Sequence, residues 1–283
     1  MAHDTQKRGA GFYLLAIFFT VFVIFLYGPI FAVVTLSFQG PDGGLTFPMN
    51  GFSLRWFANL FEEQMVGDFQ GSFVRSFALA IIVMILTVVI SLAAGLAFRR
   101  PFKGATLIFY LTVASLIVPS ILVTLGIGLM FDQLGVESNW YTSGLGAHLT
   151  WTLPFGLLIM FAVFNRFDPS YEEAARDLGA SSWQVLRYVV LPIIGPSLVG
   201  VGLFGFTLSF DEFARTLMAA GVHNTLPLEI FGMTTNVTTP VLYALGTVTT
   251  GVSFAIIALC LGVITLMQRR TRARGSDAGS GMI

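Results

Sequence analysis

Six windows of this chain contain no Asp, Glu, Lys or Arg: residues 9–41, 76–98, 104–131, 138–165, 188–210 and 230–268. A transmembrane helix needs roughly 20 predominantly apolar residues at about 1.5 Å of rise each, and every window can hold one. Composition agrees, with 55% hydrophobic and 11% charged residues and a mean hydropathy of +0.81, a membrane profile rather than a soluble one. In the first window the apolar run is too long for a signal peptide and lacks a small-x-small cleavage site, so an uncleaved span is predicted over 12–38, kinked at Pro29. In the last, 244–267 is predicted as the span and the earlier part, with its Thr, Asn and Pro, as loop. The predicted fold class is an all-α polytopic membrane protein with six transmembrane helices.

Six spans place both termini on one side. The N-terminus, the 99–104 turn, the 166–192 loop and the C-terminal tail hold 12 of the 15 Lys and Arg residues, while the opposite segments hold only Arg55, Arg75 and Arg215. That asymmetry predicts cytoplasmic termini and a cytoplasmic 166–192 loop. On the other side, Leu54–Phe57 is predicted as a short helix at the interface, where Trp56 is favoured. The tail over 276–283 is polar and small, and is expected to be disordered.

Several chemistries are excluded or disfavoured. A lone Cys260 in an apolar window rules out a disulfide framework and a thiolate metal site. His3, His148 and His223 lie far apart and are read as structural, so no catalytic or metal site is predicted. No Gly-x-x-x-x-Gly-Lys-Ser/Thr sequence occurs, so the chain does not bind ATP through that loop.

The polar island between the fourth and fifth windows, Asp168 to Pro192, is predicted to form two short helices. Pro169 suits a first helical position, Ser170 with Glu173 forms a candidate capping box, and Gly179 suits a left-handed C-terminal residue. Ser181 with Gln184 forms a second candidate box, and Pro192 is expected to open the next span. Small residues (Ala174, Ala175, Gly179, Ala180) flanked by charges (Glu172, Glu173, Arg176, Asp177) suit a helix that enters a partner's cleft. A plainer reading is an amphipathic connector resting on the membrane, although such helices prefer Lys-rich polar faces.

Glu173-Ala174-Ala175, then Gly179, Val189 and Leu191-Pro192 resemble the loop signature of the membrane permeases of bacterial ABC importers, with Val189 in the place of an Ile. The resemblance implies a single permease domain over 1–275 whose 166–192 loop, between helices 4 and 5, docks on a separate ATPase through Glu172, Glu173, Ala174, Ala175, Asp177, Gly179 and Ala180. It also implies two ATPase subunits carrying ATP and magnesium, no cofactor in this chain, a second related permease or a second copy, and an extracytoplasmic binding protein.

The fifth window ends at Phe210, and the span's far end continues as Asp211-Glu212-Phe213. Counted from Pro192, Asp211 lies roughly 28 Å along the helix, near the far edge of the hydrocarbon. Acids at that depth face water, a partner or a cavity. Two readings stand for these residues. One is a wall of the solute's path built by Phe210, Asp211, Glu212 and Phe213; the other is a helix end at the interface where Arg215, four residues on and on the same face, can neutralise Asp211. Glu212 has no such partner nearby in sequence and is the better candidate for contacting a cation. Carboxylate and aromatic face together could hold a protonated amine. The run is similar to its counterpart in spermidine/putrescine-type permeases, which implies a polyamine or another cationic organic solute. Other subgroups carry ferric ion, opines or other small solutes.

Two readings from other classes are weaker. A secondary transporter would need ionisable residues buried mid-span, and the windows contain none. An intramembrane enzyme would need a Ser-His pair or ligand cluster, for which His148 is the sole candidate.

Overall fold

The computed structural model describes residues 9–61, 67–236 and 239–279, with side chains described for all of these except 236 and 270–279. Lys7, Arg8 and residues 280–283 therefore lie outside the described residues. No strand occurs among the described residues, only an isolated antiparallel bridge between Gln39 and Phe52. The chain falls into two compact units, residues 1–66 with 233–251 and residues 67–232 with 252–283.

In the smaller unit, α1 (Ala10–Leu36) runs through Pro29 as one helix and leads into a loop built around the buried Gln39. The Gln39 side chain donates to the carbonyl of Gly44 (3.1 Å) and accepts the N–H of Asn50 (2.7 Å), so its polar atoms are satisfied away from water. The short helix expected over Leu54–Phe57 forms one residue later, as α2 (Arg55–Ala58). Trp56, however, donates its indole N–H to the Gln39 carbonyl at 2.7 Å, and Phe57 packs on Phe38 at 5.2 Å. The indole is engaged by the loop's own backbone.

The larger unit is organised by α3 (Phe69–Phe98), α6 (Leu145–Asn165) and α9 (Leu191–Phe210), which pack pairwise against one another. Between them lie α4 (Ala105–Ala114), α5 (Ser120–Gln133), α7 (Ser170–Asp177) and α8 (Ser182–Val185). The chain closes with α10 (Leu226–Asn236) and α11 (Val241–Gly279). Among the described residues, five helical runs are long and apolar enough to cross a membrane: Ala10–Leu36, Phe69–Phe98, Trp140–Asn165, Ser182–Phe210 and Val241–Arg269. The sixth crossing, expected over 104–131, is split into α4 and α5, neither long enough alone. The break falls at Ser115–Pro119, because proline supplies no N–H and biases the residue before it away from helix.

There are three further differences from the sequence reading. The stretch before the last span, expected as loop, contains α10. Pro192 does not begin a new helix: α8 continues through a π turn, Leu186–Val190, into α9. Pro192 has no N–H for the carbonyl of Tyr188, and a wider turn ahead of the ring accommodates that loss. The last helix extends to Gly279, past the expected tail boundary at 276.

The packing of α3 follows from small residues. Ser72, Ser76, Ala80, Thr87, Ser91 and Gly95 lie buried at steps of four or seven along one face. Without a hydrophobic drive between helices in lipid, such faces let backbones approach closely. A Cβ on Gly205 of α9 would stand 3.2 Å from the Met84 Cα, and one on Gly156 of α6 would press on the Ser91 Oγ. Thr87 donates to Thr152 at 2.9 Å across the same seam. Gly205→Leu is expected to lower stability by about 1–3 kcal/mol through overpacking. Gly200→Leu, where a Cβ meets nothing within 4 Å, should stay within ~0.5 kcal/mol. Detergent-solubilised unfolding midpoints of the two variants check this.

Candidate functional site: the loop between the fourth and fifth spans

Loop 166–192 begins where α6 ends at Asn165. The Asp168 carboxylate accepts the N–H of Ser170 at 3.0 Å, which holds its pKa below the ordinary carboxylate value. The Pro169 carbonyl accepts from Glu172 (2.9 Å) and Glu173 (3.2 Å). The expected Ser170–Glu173 box does not form, because the helix starts one residue earlier and Ser170 is already inside it. The second box does form: Ser181 Oγ accepts from the Gln184 N–H (3.4 Å) while Gln184 Oε1 accepts from the Ser181 N–H (2.7 Å).

Gly179 ends α7 with φ at +86°, its N–H bonded to the Arg176 carbonyl at 2.8 Å. A Cβ there meets nothing within 4 Å, so glycine is required by backbone conformation and not by crowding within this chain. Ala175 and Ala180 turn toward the core of Met160, Phe164, Val185 and Ile194.

Glu172 sits apart from the other candidates. It is buried, at 8% exposure, and its carboxylate is bonded to Arg99 at the end of α3 and to Arg176 one turn along at 3.4 Å. The Arg99 guanidinium lies over the rings of Phe164 (5.2 Å) and Phe167 (5.3 Å). Glu172 is thus an internal anchor that ties the loop to two spans, and its carboxylate faces inward. Glu173, Ala174, Asp177 and Gly179 remain exposed. Leu178 is 89% exposed at the turn, and Tyr171 and Trp183 of the same loop are exposed as well. Sequence reasoning passed over these three. An apolar residue between Asp177 and the chain-reversing Gly179 was the available signal.

At the far end of α9 the structure rearranges the expected constellation. Phe210 is buried, at 1% exposure, stacked on Phe206 (5.5 Å) and edge-on to Phe73 (6.1 Å), so it is core rather than an open wall. Helix α9 stops there, so Asp211 and Arg215 do not share a helix face. Arg215 does not neutralise Asp211. It is fully buried, donating to Thr150 Oγ1 at 2.6 Å with its guanidinium over Trp151 at 4.9 Å. Asp211 is exposed, and Glu212 caps the following turn by accepting the Arg215 N–H at 2.9 Å. Phe213 is half-buried against Phe231 at 5.0 Å.

The turn that follows is fixed from beneath. His148 bonds Ser209 of α9 through Nδ1 (2.8 Å) and Thr216 through Nε2 (2.9 Å), a buried structural link. Gly221, with φ at +69°, lies so close to the Ser138 carbonyl that no side chain fits. Among the described residues no cluster of His, Cys, Asp or Glu could hold a metal.

Residues 87–273, which include the whole 166–192 loop, match the family described as binding-protein-dependent transport system inner membrane component. The spermidine/putrescine transport system permease protein PotC of Haemophilus influenzae is 32% identical, covering 92% of this chain and 97% of that protein. The putrescine transport system permease protein PotI of Escherichia coli is 28% identical, over 80% and 82%. Among solved structures, a bacterial ABC transporter that imports alginate aligns with a TM-score of 0.64 at 16% identity, covering 94% of this chain and 99% of its own. The inward-facing MetNI methionine ABC transporter aligns with a TM-score of 0.55 at 16% identity, over 69% and 94%. The loop signature, the broken six-span helical fold and these matches converge: the chain belongs to the family of binding-protein-dependent transport system inner membrane components, the permeases of ABC importers.

Proposed function

We propose that this chain forms half of the translocation pathway of an ATP-driven importer, with loop 166–192 docking on an ATPase subunit and a cationic organic solute of the polyamine class as cargo. The observation that carries the docking role is the pairing of an anchored side with an open one. Glu172 and Arg99 hold α7 to the spans, while Glu173, Ala174, Asp177, Leu178 and Gly179 stay exposed around a bare leucine. A rigid mount of this kind transmits a push from a partner instead of absorbing it, and coupling then requires that the partner contact the loop differently in its two nucleotide states.

On this reading the termini and the loop are cytoplasmic, in keeping with the Lys and Arg asymmetry. ATP and magnesium are held by two ATPase subunits. A second related permease, or a second copy, completes the pathway, and an extracytoplasmic binding protein delivers the solute. The polyamine assignment is supported by the named cargo of the PotC and PotI relatives and by the exposed Asp211 at the end of α9, with Glu212 and Phe213 beside it.

Gentle purification of the tagged chain from its native membrane should bring down an ATPase in stoichiometric amount, with a binding protein loaded with a polyamine. A lone chain that moves solute in vesicles without ATP would overturn the importer reading. A binding protein loaded with ferric ion, an opine or another solute would overturn the cargo alone.

A further inference from the structure

The anchored side of the loop borders a cleft of about 530 Å³ whose purpose the docking role leaves open. Arg99, Arg100 and Arg176 line it with Glu172 as the one acid, an excess of two positive charges. Arg99 and Arg176 share that carboxylate, and Arg100 makes no side-chain hydrogen bond or ion pair among the described residues. Apolar residues share the lining: Leu96 at the end of α3, and Leu186 and the buried Val190 in the π turn that leads into the fifth span. A second cleft of about 360 Å³ shares Arg99 and Pro169 and is walled by Phe98, Phe161, Phe164 and Phe167.

We infer that this cleft is a binding site for the headgroup phosphate of an anionic phospholipid. Three guanidinium groups against one carboxylate select an anion, and guanidinium is well suited to phosphate oxygens. The volume lies within the range of small-ligand sites. Both clefts lie where spans end, so a ligand seated there has its charged part against arginine and its apolar part against leucine and phenylalanine. An amphiphile satisfies both parts of the lining, whereas a free anion satisfies one. An acidic side chain from a docked protein would meet the arginines but leave the apolar part of the lining uncovered. The assignment does not depend on the cargo or on the ATPase.

The test is native mass spectrometry of the purified full-length chain in neutral detergent, titrated with phosphatidylglycerol or phosphatidylcholine. Phosphatidylglycerol should be retained preferentially. Arg100→Gln should weaken that retention about fivefold, and Arg100→Gln with Arg176→Gln about 25-fold, from the usual contribution of one basic residue at a lipid surface. Arg99 stays unchanged because it anchors Glu172, and an unaltered unfolding midpoint for the single variant shows that the fold is intact. Equal retention of the two lipids, or retention unchanged in both variants, overturns the site. Displacement of phosphatidylglycerol by millimolar inorganic phosphate makes it a free-phosphate site and overturns the lipid assignment. So does a double variant that loses a co-purifying ATPase while keeping its lipid.

Discussion

Glu173→Lys is expected to reduce ATP-driven uptake at least about tenfold while leaving insertion and unfolding nearly unchanged. Glu173 is exposed and makes no side-chain hydrogen bond or ion pair among the described residues, so the fold loses only a favourable acid in the first turn of α7, about 0.3–1 kcal/mol. The loss of uptake then has to come from the partner. Gly179→Leu should have a similar effect by a different route, since forcing a non-glycine residue to φ near +86° costs roughly 1–2 kcal/mol and places bulk beside Leu178. Gly179→Asn tolerates that conformation better and separates the two causes. Because a Cβ there meets nothing within this chain, an Asn variant that folds but fails to couple locates the crowding in the docked ATPase. Transport and ATP hydrolysis measured together in vesicles check all three. Normal uptake in both Glu173→Lys and Gly179→Leu would remove the docking role.

Glu172→Ala should act in the opposite way, on stability first. The carboxylate and the Arg99 side chain are 10% and 24% exposed, and removing the acid leaves a guanidinium clamped over two phenyl rings without its counter-charge. Breaking a fully buried pair costs roughly 3–5 kcal/mol, and the partial exposure here lowers the expected figure to about 2–3 kcal/mol. Replacing both partners, Arg99→Leu with Glu172→Leu, should recover most of that loss, because no charge is then stranded. A double-mutant cycle on unfolding midpoints measures the coupling. Additive losses would mean that the pair does not hold the loop to α3.

These two acids stand next to each other in the chain and were indistinguishable there. Both read as flanking charges on a helix of small residues. Only the position of Arg99, 73 residues earlier, turns one inward and leaves the other in solvent. The same limit explains Arg215. A rule for residues four apart assumes a continuing helix, and α9 ends at Phe210, sending the guanidinium to Thr150 and Trp151. The small residues of α3 (Ser72, Ser76, Ala80, Thr87, Ser91 and Gly95) carried a readable spacing of four and seven, but spacing does not say which neighbour brings the glycine that meets them.

The sequence by itself determined what depends on composition and near neighbours. Uncharged windows of sufficient length made the chain an all-helical membrane protein, because a lipid interior tolerates few other backbones. Gly179 set the reversal after α7, and Ser181 with Gln184 set the next helix start, since those bonds close within three residues. Tertiary structure alone decided which face of the loop is anchored and which is open, that Phe210 is core, and where the basic cleft forms. Each depends on side chains brought together from distant spans, and the energy that selects their partners is released only when the helices pack.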